Sequence, residues 1–463
     1  MKQILVLATL FAVVPLLAQT PTLTDAAAAR RARLLKVIPD GILVVQSADR
    51  DQPNLYQFME AGTENHDFLY LTGIDKPRLP GSTLVLNPRG ETYREILYTS
   101  DDVDAVKRAT RIEHVLPLSR FTEDLSSAIT DYRNMRITQL RFQPVASDLS
   151  RGLGLDGTRK VVYWNYPRFT NLNEPVNPRF ALIGRLRDSS PEIEIRDASE
   201  LLDRLRMIQD DYGLAQIRQA VQITGKGLME GMKLSKPGVT TGQVKEMVDF
   251  VYRFNGGGFG FETNVSVTQA IPPAFASARE KGEPRSQAQT IGAGALVHID
   301  TGATFNHYSA DVQRVVPADG RFTDEQRRFY NTVLGVQKAV IESIRPGVRW
   351  QDLQALAVRM LRDAGGWDKS YTYGIGHFLG MEVHDHGDYL RPLEPGMVLT
   401  IEQGATVNGV RVAFEDDVLV TVDGHEWLTQ WIPIEAVDVE RMMAEPRVFD
   451  PAKYVAPGPR APR

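Results

Sequence analysis

The chain has 463 residues, 43% of them hydrophobic, with a formal net charge of −5. That is enough for two or three packed domains, with no electrostatic reason to expect nucleic acid or an anionic membrane surface as partner. Cysteine is absent, which excludes thiolate nucleophiles, zinc–thiolate centres and disulfides, so any metal must be held by oxygen and imidazole.

The N-terminus, MKQILVLATLFAVVPLLAQTPT, sets Lys2 before an apolar run from Ile4 to Leu17 and closes it with Ala18. This is the pattern of a secretory signal peptide, so residues 1–18 are expected to be cleaved and the mature chain exported, periplasmic or secreted. About 14 apolar residues broken by Pro15 fall short of the roughly 20 needed to cross a bilayer. No stable membrane span is expected after cleavage.

Between residues 30 and 206 the runs at 41–47, 67–73, 82–91, 95–100 and 160–165 read as strands, and FTEDLSSAITDY (121–132) reads as a helix between them. Interleaved strands and helices predict a smaller α/β domain. Its only histidines are His66 and His114. With no dense polar cluster, the region reads as a domain that limits substrate size or mediates oligomerisation.

Residues 210–442 are more regular. A helix begins near Asp210, with Leu214, Ile217, Val221 and Leu228 on one face, and a second follows the Thr240-x-x-Gln243 capping box. Thr323-x-x-Gln326 opens another pair. Pro237-Gly238-Val239 matches Pro346-Gly347-Val348 at an offset that also aligns Val244 with Leu353 and Gly256-Gly257 with Gly365-Gly366. The region therefore reads as an internal duplication. Residues 446–463 form a Pro-rich tail.

Each half carries acids inside apolar strands. LVHIDTG (296–302) contains Asp300 and VLTIEQG (398–404) contains Glu402; Asp311 in SADVQRVVP and Glu415 in AFEDDVLVT follow as matching members. An unpaired buried carboxylate is costly, and a duplicated unit would bring all four together. Arg314 and Arg411 cannot neutralise four anions, so divalent metal is the economical answer. His377, in GIGHFLGMEVHDHGD with His384 and His386, would complete a donor set for two ions. Its carboxylate dominance favours Mn²⁺ ahead of Co²⁺, Zn²⁺ or Fe²⁺. Two such ions can share a water, make it a hydroxide nucleophile and polarise a carbonyl, which is amide hydrolysis chemistry. The glycines of GIGHFLG also fit a nucleotide-loop spacing, but the strand before and helix after that such a loop needs are not predicted.

At this point the chain resembles the pita-bread metallopeptidases, which include methionine aminopeptidase, prolidase and aminopeptidase P. The resemblance rests on Asp300 in HIDTG, Asp311 in YSADVQR, His377 in GIGHFLG, Glu402 in TIEQG, Glu415 in FEDDVLVT, and on ENHDFLYLTGID in the N-terminal region. It implies an α/β fold in which a pseudo-two-fold catalytic domain follows a smaller creatinase/prolidase-type domain. It also implies an exopeptidase that cuts the N-terminal bond of peptides, foremost Xaa-Pro, and commonly a homodimer or homotetramer. On the same grounds Asp311 and Glu415 would bridge two ions, with Asp300 on one and His377 and Glu402 on the other. Glu402 would take a proton from the bridging water, and His384 would contact the substrate carbonyl, with Tyr373 and Arg411 in the substrate shell. The chain departs from the family pattern where Tyr373 replaces a His, Gln403 a Pro and Gln313 a Thr, where Arg411 is displaced by two residues, and where no His lies between His114 and His298. A prolidase-like dipeptidase, or a weakly catalytic protein that binds metal and peptide, is the alternative reading.

Overall fold

Periodicity of two in the C-terminal strands decides where the acids point. The computed structural model describes residues 21–47, 65–74, 82–133, 143–154, 160–166, 181–268, 288–370 and 374–446. Residues 1–20, which include the stretch expected to be a signal peptide, Tyr373 and residues 447–463 lie outside them.

The N-terminal half is a six-stranded mixed sheet, ordered β4-β3-β2-β1-β5-β6. It is built from β1 (Ile42–Gln46), β2 (Thr83–Leu86), β3 (Glu95–Thr99), β4 (His114–Pro117), β5 (Lys160–Trp164) and β6 (Ile193–Asp197). Helices α1 (Leu23–Val37), α2 (His66–Thr72), α3 (Val103–Thr110), α4 (Arg120–Arg133), α5 (Pro144–Gly152), α6 (Ala181–Ser189) and α7 (Ser199–Arg206) accompany it. One sheet face buries Leu43, Val45, Leu84 and Leu97, and the other buries Ile42, Val44, Val85 and Trp164, the alternation expected of a sheet covered on both sides.

One expectation is corrected: DFLYLTG is not a strand but helix α2. The Asn65 side chain accepts the amide of Phe68, Gly73 closes the helix in the left-handed conformation, and all seven helical residues are buried. A short, continuously apolar run carries no period to separate the two forms, and the caps decide.

The C-terminal half contains α8 (Asp211–Leu234), α9 (Thr241–Phe254), α10 (Asp324–Glu342), α11 (Trp350–Asp363) and α12 (Ala436–Met443). Both Thr-x-x-Gln boxes form as expected, with Thr240 capping α9 and Thr323 capping α10. Gly238 and Gly347, matched by the duplication, share nearly one left-handed conformation, φ 88° and 89°. The strands are β7 (Gly258–Phe259), β8 (Asn264–Thr268), β9 (Leu296–Thr301), β10 (Ala303–Phe305), β11 (Tyr308–Ser309), β12 (Val312–Pro317), β13 (Val398–Val407), β14 (Val410–Val420) and β15 (His425–Trp427). The main sheet runs β13-β14-β12-β9-β8, with β15 on β14, and β11-β10-β7 form a small second sheet. Helix α8 packs on β9 and α10 on β13 and β14, while α9 and α11 pack on those two helices. The two repeats within the C-terminal half thus share one arrangement.

On the helix-covered face, Ile299 reaches towards Gly231 of α8, Tyr252 of α9 hydrogen-bonds Thr301 at 2.8 Å, and Phe414 meets the Tyr330 ring of α10 at 4.8 Å. Residues one place along each strand must point the other way. Those residues include Asp300, Glu402 and Glu415.

Candidate metal centre

One cross-strand row builds the site. Asn264, Asp300, Gln313, Glu415 and Glu402 are successive register partners across β8, β9, β12, β14 and β13. Directly opposed residues of antiparallel strands share a face, so three of the four expected acids stand in line. Asp311 enters two residues before Gln313 on the same strand course. Its amide donates to the Asp417 carboxylate at 3.3 Å.

His377 arrives from a loop laid along β13. Its amide donates to Thr400 Oγ1 at 3.0 Å, the Thr400 amide donates to the His377 carbonyl at 2.9 Å, and the Glu402 amide to that of Ile375 at 2.8 Å. Gly376 permits this approach: its φ is +149°, and a β-carbon there would sit 1.9 Å from the Thr400 carbonyl oxygen. The glycines of GIGHFLG therefore serve a strand-side loop. His377 Nδ1 lies 3.1 Å from the Phe378 carbonyl oxygen. Donation to that oxygen would leave Nε2 as the acceptor, which stands 3.7 Å from Asp311, 3.7 Å from Glu415 and 3.9 Å from Glu402.

Asp300, Asp311 and Glu415 form one group whose ligand atoms lie within 4.8 Å of one another, and His377, Glu402 and Glu415 form another. Glu415 belongs to both. Asp311 Oδ1 is buried without a hydrogen-bond partner among the described residues, a costly state for a carboxylate that a cation would relieve. The side chains of Asp311 and Glu415 are 6% and 7% exposed while that of Glu402 is 37% exposed, so the cluster opens to solvent on the Glu402 side.

The field of the cluster is strongly negative. Burial, then the neighbouring carboxylates, push Asp311 and Glu415 well above the usual carboxylate range. Burial raises Asp300 to about 6, opposed by Arg411, and burial with Glu415 raises Glu402 to about 8. Like-charge crowding of this kind marks a site built for cations. The four carboxylates and one imidazole fit two hard or borderline divalent ions.

His384 reaches the centre as well, its ring centroid 4.2 Å from that of His377. Burial, then His377, lower it to about 4, so it is neutral near pH 7. Arg411 lies on the same strand face as Glu415, because its displacement by two residues preserves the alternation; it is exposed and acts on Asp300 and Glu402 electrostatically. Gln313 takes its place in the row, whereas Gln403 turns to the opposite face, where both amide atoms are buried and without partner among the described residues.

Sequence reasoning missed what lies behind the row. Arg314, fully buried on the helix side, pairs with Asp416 at 2.6 Å and donates to the Glu415 carbonyl at 2.9 Å. Gln337 of α10 and Thr429 also donate to Asp416, at 2.9 and 2.6 Å. Arg314 is thus committed to Asp416 and fixes β12 against β14. An arginine within VQRVV and a second acid beside Glu415 in FEDDVLV were the available signals.

Comparison with known proteins places this geometry. Residues 215–422 match the model of metallopeptidase family M24, and residues 27–137 match the aminopeptidase P N-terminal domain. The chain is 26% identical over 447 residues to the mitochondrial intermediate cleaving peptidase 55 of Arabidopsis thaliana, covering 89% of this chain and 82% of that protein. It is 30% identical over 282 residues to a Xaa-Pro aminopeptidase of Haemophilus influenzae, covering 54% of this chain and 64% of the relative. Among solved structures, Pseudomonas aeruginosa aminopeptidase PepP superposes with a TM-score of 0.69 at 22% identity, over 91% of this chain and 98% of that one. Escherichia coli aminopeptidase P with the inhibitor Pro-Leu does so with 0.68 at 21%, over the same shares. These two superpositions speak for the fold.

Proposed function

We propose that this chain, which belongs to metallopeptidase family M24, is a metal-dependent exopeptidase that releases the first residue of peptides, with proline favoured in second place. The observation that carries the proposal is the convergence of Asp300, Asp311, His377, Glu402 and Glu415 on one open sheet face, with Asp311 Oδ1 unpartnered among the described residues. These five would hold two divalent ions, Mn²⁺ foremost. When bound, the ions would supply Lewis-acid activation of water and of the scissile carbonyl.

The remaining work falls to the chain itself. Glu402, whose side chain is open to the solvent side of the cluster, takes the proton of the attacking water. His384, neutral near pH 7, donates an N–H to the carbonyl oxygen as negative charge develops there. Arg411, exposed on the same face, offers a cation to the peptide beyond the cut, and Tyr373 is assigned to the substrate shell from sequence alone. The preference for proline is carried over from the Haemophilus relative. The N-terminal pattern supports export of the mature chain; no helix among the described residues is long and apolar enough to cross a membrane.

The test is hydrolysis of Ala-Pro-Ala beside Ala-Ala-Ala by the metal-loaded protein. Release of the first alanine from the proline peptide, with kcat/KM at least about tenfold higher than for its partner, is expected. Cleavage of Ala-Pro but of neither tripeptide would make the protein a dipeptidase. No cleavage by protein carrying two ions per chain would overturn the proposal.

A further inference from the structure

A second polar cluster, outside the metal centre, centres on Arg206. This guanidinium, 2% exposed at the end of α7, donates to three carboxylates: Asp67 at 2.8 Å, Glu382 at 3.0 Å and Asp385 at 2.6 Å. His66 Nδ1 and His386 Nε2 lie 3.2 and 3.5 Å from the same Glu382 oxygen. The five partners come from two places far apart in sequence. His66 and Asp67 open α2 in the N-terminal half, whereas Glu382, Asp385 and His386 belong to the turn that follows His377.

That turn is shaped by the residues Arg206 grips. Asp385 receives the Met381 amide on Oδ2 at 2.9 Å and the His386 amide on Oδ1 at 2.7 Å, and its own amide donates to the Phe378 carbonyl at 2.9 Å. Gly380 makes room for the carboxylate, since a β-carbon there would lie 2.1 Å from Asp385 Oδ2. Gln209, three residues beyond Arg206, donates to the Arg206 carbonyl at 3.0 Å and approaches the Leu379 carbonyl at 3.4 Å. His384 stands between Glu382 and Asp385, the two acids of the turn bonded to Arg206. A three-carboxylate fork of this kind suits a planar guanidinium and no other side chain.

We propose that Arg206 is a positioning residue, which ties α2 of the N-terminal half to the 378–386 turn and thereby sets His384 over His377. The acidic residue of HDFLYLTG gains a role on this reading, since Asp67 anchors the guanidinium from the other half of the molecule. The N-terminal half in this way takes part in holding the oxyanion donor. The inference rests on the role proposed above for His384.

Asp67→Asn is the informative variant, since it is nearly isosteric and removes one charged arm of the fork, whereas loss of Arg206 would leave three buried acids unpaired and endanger the fold. With Ala-Pro-Ala and saturating Mn²⁺, Asp67→Asn is expected to lower kcat about tenfold at unchanged metal content. In a His384→Ala background the same change should alter kcat less than about twofold, because the residue it acts through is gone. Hydrogen–deuterium exchange of residues 378–388 should quicken in Asp67→Asn while α8 stays protected. An equal loss of kcat in both backgrounds, or exchange unaltered in that turn, would overturn the inference. If the wild-type protein cleaves no peptide, the proposed function fails, and the exchange measurement still decides the clamp by itself.

Discussion

Glu402→Gln lowers kcat on Ala-Pro-Ala by on the order of 10³-fold, in the middle of the range for loss of a positioned general base, while the folded structure persists. The amide keeps the volume and leaves the strand register intact, since Glu402 pairs with Glu415 through the backbone. It loses the ability to accept a proton. The same substitution removes one of the crowded charges, so the metal-free variant is expected to melt about 2 °C higher than the wild type at pH 8. Loss of activity with a gain of stability is the signature of a residue strained for function. Circular dichroism melts beside the peptide assay check both halves; an active variant would remove Glu402 from the mechanism.

The metal-free protein loses stability as pH rises from 5 to 8.5, by on the order of 5 °C in Tm. Folding raises Asp300 to about 6 and Glu402 to about 8, and holds Asp311 and Glu415 well above the usual carboxylate range, chiefly through burial. Through these four carboxylates the native state binds more protons than the unfolded chain in this window, and their contribution to the slope of stability against pH is negative; His298 and His384, lowered to about 3 and about 4 by burial, act the other way only up to the unfolded histidine range near pH 6.5. The carboxylate contribution is fully present below the unfolded carboxylate range, near pH 4. It fades as pH passes through the raised values of the folded state. Glu382 works in the opposite sense: Arg206, with His386 and His66, overcomes its burial and holds it well below the usual range. Its stabilising contribution is lost in acid, below this window. Divalent ions should flatten the profile between pH 5 and 8.5 by taking the place of the protons. A Tm independent of pH without metal would contradict the crowding of these acids.

Much of the catalytic half was legible because its signals are periodic. Acids inside strands whose other positions are apolar had to share a face, and the repeated Pro-Gly-Val turns and Thr-x-x-Gln boxes located the duplication. The register itself could not be read: nothing in HIDTG or FEDDVLVT states that Asp300 and Glu415 both oppose Gln313. Helix α2 was misread because seven consecutive buried residues show no period, and its Asn and Gly caps carried the information instead. Arg206 and the true partner of Arg314, Asp416, escaped notice for a related reason. Each arginine is a lone cation whose carboxylate partners lie about a hundred residues or more away, and only the assembled fold brings those charges together. The N-terminal half, expected to hold no polar cluster, in fact supplies His66 and Asp67 to one.

The most direct measurement is a titration of the metal-stripped protein with Mn²⁺, following bound metal per chain and release of alanine from Ala-Pro-Ala in the same samples. Binding is expected to saturate at two ions per chain, with activity rising with occupancy and both lost in Asp311→Asn. Full activity in the stripped protein, or an Asp311→Asn variant that binds and cleaves as the wild type does, would contradict a metal-dependent peptidase built on these five residues.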